Sequence, residues 1–269
     1  MFEVETERPH PQLKRYIRAF VQRSFRMHET EAVEPVIARL GAMLEFQFRD
    51  PYVIPSFVDD AENPCAPITV VGPISHRRVR LVIRGEVVAL AVIFQPLGFY
   101  RFFGVPVSLL AERGTEGHSI LGPRISALHE QLGNAPSFVQ RVDLLNRFFR
   151  ERAQSGFATE GVDRGLHALL VPGPVQTVDA VSRNLGISRR QLERRSLEYI
   201  GLPPKMLSRI ARFQRALRMR TSNNKSWLEI AHASEYYDQM HMVRDFHVFA
   251  GDSPARSFAD IAPEHLINF

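Results

Sequence analysis

Hydrophobic and polar residues alternate along part of the first half of the chain with the period of a β-strand. In the stretch AMLEFQFRD, Leu44 and Phe46 alternate with polar neighbours, which predicts a half-buried strand. The stretch RVRLVIRGEVVALAVIFQP is rich in β-branched residues and predicts two strands joined by a hairpin at Arg84 and Gly85. The aromatic stretch GFYRFFGVP that follows predicts a short helix or turn packed on the sheet.

From about Ser119 the hydrophobic spacing becomes helical. In SFVQRVDLLNRFFRER the apolar residues recur at intervals of three and four, which predicts one stripe along a helix. The stripe consists of Phe138, Val142, Leu145 and Phe149. It could pack on its own domain or on a second copy of the chain, and the sequence leaves both open. The small, polar segment AQSGFATEG predicts a domain boundary, which divides the chain into 1–155 and 156–269.

The second half contains an internal repeat of about fifty residues. Shifted by fifty positions, Leu192 aligns with Met242 and Gly201 with Gly251. A few residues upstream the offset becomes 49, so the second copy has one extra residue in its turn. Each copy has the pattern of a helix-turn-helix: a small residue where two short helices cross, a turn, and a capped second helix.

Local signals define the turns and caps of the two copies. Gly186 suits a turn that needs a positive φ, and Ser188 with Gln191 forms a capping box at the start of the second helix. Asp238 is suited to cap the equivalent helix of the second copy. Between the copies, PKMLSRIARFQRALRMR predicts an amphipathic linking helix of about 17 residues, roughly 25 Å long. Such a helix could hold two recognition helices about one turn of B-DNA apart, ~34 Å.

Charge is distributed unevenly over these two copies. Residues 183–225 contain twelve Lys or Arg residues and two acids, whereas residues 226–260 contain two arginines and six acids. The formal net charge of the whole chain, +5, is modest by comparison. A basic block within a folded helical segment indicates a face that binds a polyanion, rather than an ordinary solvated helix face.

Two stretches, LGISRRQLERR and YYDQMHMVRDFHVFAGDSP, resemble the AraC/XylS family of bacterial transcription regulators over roughly residues 162–258. The resemblance implies an α+β protein. Its N-terminal domain would be β-rich and cupin-like, with helices, and would bind a small effector or dimerise. An all-α domain of two helix-turn-helix units joined by a linking helix would follow. The implied partners are double-stranded DNA, a homodimer, and RNA polymerase if the protein is an activator.

The resemblance also implies which side chains read base pairs. An arginine can fork onto guanine, a glutamate can accept from cytosine, a glutamine suits adenine, and a methionine can pack on a thymine methyl group. In the first copy the base-reading positions are Arg190, Glu193 and Arg194, with Gln191 nearby as a further DNA-binding residue. In the second copy the matching positions are Gln239, Met240, Val243 and Arg244.

Other arginines are assigned to DNA phosphates, which set affinity and register rather than sequence preference. These are Arg189, Arg195 and the linking-helix arginines, including Arg209 and Arg212.

Three residues depart from the family pattern. Glu235 stands where the family has the turn glycine, Ser196 stands where it has an aromatic core residue, and His247 stands where it has a basic residue. We expect a strained or rearranged second turn and looser packing in the first unit. Because the second unit is also acidic, we infer that the first unit dominates DNA affinity.

The first half of the chain contains few residues or motifs that indicate catalysis, metal binding or nucleotide binding. Its histidines lack metal-ligand spacing, and the chain has no motif for a hydrolase nucleophile, a dinucleotide or a P-loop. We therefore expect no metal, no cofactor and no enzymatic activity. A small molecule or a partner protein could control the first domain. Cys65 raises a third possibility, a reactive thiol of the kind found in DNA-repair methyl acceptors, which the absence of a nearby basic or metal-ligand cluster disfavours.

Cysteine content and hydropathy indicate the cellular compartment in which the protein works. The single cysteine excludes an intramolecular disulfide and fits a reducing cytoplasm. The longest apolar run, VVALAVIF, is too short to span a bilayer as a helix, and the acidic start MFEVETERPH does not resemble a signal peptide. The sequence thus predicts a cytoplasmic protein without a membrane partner.

Overall fold

The computed structural model describes residues 2–55, 62–76, 79–159, 161–171, 177–222 and 225–260. Strands dominate the first part of this set and helices the second. The strands are β1 (Phe2–Glu7), β2 (Ile17–Val36), β3 (Met43–Gln47), β4 (Val53–Pro55), β5 (Glu62–Pro64), β6 (Ile68–Val71), β7 (Val79–Phe94) and β8 (Gly114–Glu116). They form an antiparallel sheet in the order β1-β2-β7-β3-β6-β8, and β4 pairs with both β5 and β7.

The predicted hairpin at Arg84 and Gly85 is wrong. β7 runs through both residues as one strand of 16 residues and pairs antiparallel with β2. Gly85 has a φ of +71° and pairs with Met27, next to an irregularity in β2 between Met27 and Ala32. The glycine therefore marks a distortion within a long strand rather than a turn between two strands.

The helices begin after β7. They are α1 (Gly98–Phe103), α2 (Gly117–Leu121), α3 (Pro123–Asn134), α4 (Phe138–Gln154), α5 (Val162–Ala168), α6 (Val178–Leu185), α7 (Arg189–Ile200), α8 (Pro204–Ser222), α9 (Trp227–Ala233), α10 (Gln239–Phe249) and α11 (Pro254–Asp260). A 3-10 turn at Val107–Leu109 lies between α1 and β8. None of the described helices is long and apolar enough to cross a membrane.

The apolar stripe of α4 packs inside its own domain. All four of its residues are buried in one hydrophobic core with the sheet and α1. Phe94 of β7 and Phe102 of α1, for example, contact Phe149 with ring centroids 5.7 and 4.9 Å apart. Since this stripe is already covered, it does not supply a surface for a second copy of the chain.

A second hydrophobic core surrounds the linking helix α8. Phe213 of α8 lies fully buried against Phe246 and Phe249 of α10. The segment after β2 joins this core, and the Ala38 amide donates a hydrogen bond to the Phe249 carbonyl at 2.9 Å. The predicted α+β architecture, a β-rich domain with helices followed by two helix pairs on a linking helix, is confirmed.

Candidate nucleic-acid interface

The first helix-turn-helix consists of α6, a turn at Gly186 and α7. Gly186 has a φ of +65°, as predicted for the turn. Ser182 of α6 is buried, and its hydroxyl donates to the Val178 carbonyl at 2.8 Å. The Ser188 hydroxyl accepts from the Gln191 amide at 3.2 Å, and the Gln191 side chain accepts from the Ser188 amide at 2.8 Å. The predicted turn and capping box are confirmed.

Two arginines project from the exposed face of α7. Arg190 and Arg194 are exposed, and neither forms a hydrogen bond or ion pair with the described residues. They are four residues apart and therefore neighbours on one face of the helix. Leu192 is fully buried on the other side and anchors the helix. The geometry thus presents two guanidinium groups whose donors can meet a guanine edge or a phosphate.

Two other arginines of α7 have partners within the protein. Arg189 lies 3.2 Å from Glu193, and both side chains are about half exposed. Arg195 donates to the Tyr199 hydroxyl at 3.0 Å and lies 3.4 Å from Glu198. The Arg195 side chain is only 21% exposed. A phosphate can therefore compete for Arg189 more easily than for Arg195.

Ser196 occupies its core position without disrupting it. The residue is fully buried, and its hydroxyl donates to the Leu202 carbonyl at 2.6 Å. This hydrogen bond joins the end of α7 to the segment that leads into α8. A small polar side chain with a satisfied hydroxyl therefore replaces the aromatic ring that the family pattern favours.

The second helix-turn-helix consists of α9, a turn at Glu235 and α10. Asp238 accepts from the His241 amide at 2.6 Å, so the predicted cap is confirmed. Glu235 has a φ of +64°, a left-handed conformation that favours glycine. Its carboxylate accepts a hydrogen bond at 3.0 Å from Arg215 of α8, which is buried. An ion pair to the linking helix thus accompanies the strained turn.

α10 presents a mixed surface at the predicted reading positions. Gln239, Met240 and Arg244 are exposed, whereas Val243 is half-buried. Tyr237 precedes the cap, has 89% of its surface exposed, and was not predicted from the sequence. The only signal for it was the tyrosine pair before Asp238. An exposed aromatic ring at this point is available to pack on a nucleic acid.

The linking-helix arginines assigned to phosphates also support the second unit. Arg209 donates from Nε and Nη2 to Oδ1 of Asp245, at 3.1 and 2.6 Å. Arg212 donates to the Glu235 carbonyl at 3.5 Å and lies 5.4 Å from the Tyr236 ring centroid. Asp245 and Tyr236 were not identified from the sequence, because their partners lie more than twenty residues away on another helix. Both arginines are half-buried, so phosphate contact by them stays a prediction.

A groove of about 470 Å³ lies between the two units. Its acidic lining consists of Asp179 and Glu235. Its basic lining consists of Arg189, Lys205, Arg209, Arg212 and Arg215. Lys205, which was not predicted from the sequence as a site residue, is exposed at the start of α8. The excess of cations makes the groove a suitable surface for a phosphate backbone.

The first domain carries buried polar groups on one face of its sheet. Arg23 and Glu45 lie 3.5 Å apart, and both side chains are less than 10% exposed. Burial raises the pKa of Glu45, although the positive charge of Arg23 acts to lower that pKa.

Burial and the neighbouring Glu45 raise the pKa of the Cys65 thiol to about 12. The thiol is therefore protonated at neutral pH, unlike that of an activated nucleophile. The described residues contain no group of three or more His, Cys, Asp or Glu placed to hold a metal ion.

Comparison with known proteins gives two family matches. Residues 181–259 match a helix-turn-helix domain, and residues 5–116 match a domain of unknown function, DUF6597. A search of the curated proteins finds no match. Among solved structures, the chain is similar to ToxT from Vibrio cholerae O395 at 10% identity, with 91% of this chain and 98% of that chain covered and a TM-score of 0.47. Unsaturated fatty acid bound wild-type ToxT from Vibrio cholerae strain SCE256 is also similar, at 10% identity, with 97% and 96% covered and a TM-score of 0.45. TM-scores below 0.5 indicate a weak likeness.

Two capped helix pairs joined by one linking helix, together with the helix-turn-helix match, define a DNA-binding domain. The resemblance to the AraC/XylS family is thereby confirmed. The chain carries the AraC-type helix-turn-helix domain of a DNA-binding transcription regulator.

Proposed function

We propose that this protein binds DNA sequence-specifically and that α7 reads base pairs in the major groove. The observation that supports this most directly is the pair Arg190 and Arg194, exposed on a helix that a capping box and the buried Leu192 hold in place. Partners within the chain hold several other arginines of the basic block, whereas these two have no hydrogen-bond or ion-pair partner among the described residues.

The two units contribute unequally in this proposal. The second unit has Arg244 as an exposed cation, but residues 226–260 contain six acids against two arginines. Hydrogen bonds from Ser226 lower the pKa of Glu229, and the Ser253 amide lowers the pKa of Asp252, so both carboxylates stay ionised at neutral pH. Negative charge at these positions opposes the approach of phosphates. The first unit therefore supplies most of the affinity, and the second contributes mainly through Gln239, Met240 and Arg244.

The N-terminal domain is the proposed control element, through a small effector or through dimerisation. A partner protein bound to this domain is the alternative. The half-buried Cys65 thiol, with its pKa raised to about 12, does not favour a methyl-acceptor role. If the protein activates transcription, it also contacts RNA polymerase. We infer a cytoplasmic location from the single cysteine and from the DNA-binding role.

Selection of bound sequences from a random duplex pool, at about 0.1–0.15 M salt, tests the proposal. The expected result is an enriched motif: two blocks about 10 base pairs apart if both units read bases, or one block if the second unit is mainly a spacer. Binding that enriches no motif and collapses as salt rises would contradict sequence-specific recognition.

Alanine variants of the two recognition helices, tested on the selected duplex, show which helix-turn-helix unit contributes more to DNA affinity. Arg194→Ala should weaken specific binding by about 1–3 kcal/mol. Arg244→Ala should cost less, because Arg244 lies in the acidic unit. The reverse order would show that the second unit dominates, and the inferred ranking would then be wrong.

A further inference from the structure

The two recognition helices begin with chemically different surfaces. Met240, in the first turn of α10, is 59% exposed, and Tyr237, just before the Asp238 cap, is 89% exposed. The exposed side chains at the start of α7 are polar instead and include Arg190 and Gln191. The second unit therefore presents an apolar surface where the first presents hydrogen-bond donors.

Packing of α10 fixes the direction in which this surface points. Met242 and Phe246 are fully buried, and the Phe246 ring lies 4.9 Å from the ring of Phe213 in α8. Met240 and Arg244 are four residues apart and share the opposite, exposed face of the helix. The N-terminal residues of a recognition helix are the ones that meet base edges in the major groove. The apolar surface thus occupies the part of α10 that approaches the bases.

The chemistry of these side chains limits what they can recognise. A methionine thioether is at most a weak acceptor, so Met240 is poorly suited to the donor and acceptor pattern of a base pair. Its flexible, polarisable chain packs well on apolar groups. In the major groove the distinctive apolar group is the 5-methyl of thymine. A tyrosine ring offers a further apolar face, and its hydroxyl can donate to a phosphate oxygen.

Positive charge is scarce around this surface. Residues 226–260 contain six acids and two arginines, and one of these arginines, Arg256, lies 3.8 Å from Asp252. The second unit therefore attracts phosphates weakly. Burial of apolar surface does not depend on charge, so contact with a methyl group is a source of affinity that the acids do not diminish.

We propose that α10 recognises the 5-methyl groups of thymine through Met240 and Tyr237, so that the DNA block at the second unit is rich in A·T base pairs. Gln239, exposed beside Met240, suits an adenine in the same block. This inference rests on the proposed function, since it assigns the chemistry by which the second unit takes part in sequence-specific binding.

Replacing thymine by uracil in the selected duplex tests the proposal on the full chain, because deoxyuridine differs from thymidine only by lacking the 5-methyl group. With the thymines of the motif replaced one at a time, we expect two positions in one block at which binding weakens about three-fold. Met240→Ala should abolish the effect at one of these positions, and Tyr237→Ala at the other. The effect should be equal at about 0.1 and 0.3 M salt, because no phosphate contact changes.

Leu228→Ala is the matched control. Leu228 is an apolar residue of the same unit and is 52% exposed, but it lies on α9 rather than on the recognition helix. Its variant should keep the uracil effect at both positions. All three side chains are exposed, so the fold should tolerate each truncation.

A motif without thymine, equal binding of thymine and uracil duplexes, or a uracil effect that Met240→Ala and Tyr237→Ala both retain would overturn methyl recognition while sequence-specific binding stands. An equal loss of affinity for every duplex in these variants would also overturn it, since the two side chains would then contact sugar or phosphate. Unchanged DNA affinity with altered sedimentation of the variants would assign the surface to contact between copies of the chain. Failure to enrich any motif would overturn the proposed function and this inference together.

Discussion

The guanidinium of Arg209 holds the carboxylate of Asp245 and thereby fastens the linking helix α8 to the second recognition helix α10. Two of its nitrogens donate to the same carboxylate oxygen, and the guanidinium also lies 5.0 Å from the Phe249 ring centroid. The Asp245 side chain is 1% exposed, so water cannot replace its partner. Arg209, a basic residue of the DNA-binding domain, thus stabilises the packing of α8 against α10 in addition to adding positive charge to the surface.

Arg209→Ala should destabilise the protein because it leaves a buried carboxylate without its cation. We expect the free energy of unfolding to fall by about 3 kcal/mol, as measured by urea denaturation. Arg256→Ala is the control: this arginine is 79% exposed and its ion pair with Asp252 spans 3.8 Å. It should change stability by less than about 0.5 kcal/mol. Unchanged stability with weaker DNA binding in Arg209→Ala would mean that Arg209 serves mainly as a phosphate contact.

Two substitutions of Glu235 separate the cost of the left-handed backbone conformation from the effect of losing the carboxylate. Both Glu235→Gly and Glu235→Ala remove the carboxylate that pairs with Arg215. Only glycine adopts the φ of +64° without strain. The glycine variant should therefore be more stable than the alanine variant by about 1 kcal/mol in urea unfolding. Equal stability of the two variants would show that the left-handed conformation is absent in solution.

Cys65 should react slowly with alkylating agents. Its pKa of about 12, against an ordinary value of 9.0, means that far less thiolate is present in the folded protein at pH 8. We expect iodoacetamide to modify the folded chain on the order of a hundred-fold more slowly than the chain unfolded in urea, and the rate to keep rising through pH 10. Equal rates in the folded and unfolded chain would revive the reactive-thiol hypothesis.

The helix-turn-helix units could be predicted because their signals are local. Ser188 and Gln191 form their capping box within one helical turn, and Gly186 lies in the turn itself. The partnership of Arg209 with Asp245 could not be predicted, since the two residues are 36 positions apart and meet only through tertiary packing. For the same reason the buried pair of Arg23 with Glu45 was missed.

The sheet was predicted less well than the helices. β3 was recognised from its alternation, but β2 was not identified, and β7 was divided into two strands at Gly85. A glycine between two β-rich runs has the same local signature in a hairpin and in a distorted long strand. Only the pairing of β2 with β7 distinguishes the two, and that pairing is non-local.

The most direct test of the central claim is to repeat the random-duplex selection with Arg194→Ala beside the unaltered protein. If α7 reads bases, the variant should lose its preference at one base-pair position and keep the rest of the motif. If the motif is unchanged and binding weakens uniformly across sequences, Arg194 contacts only phosphate, and base reading through this residue is contradicted.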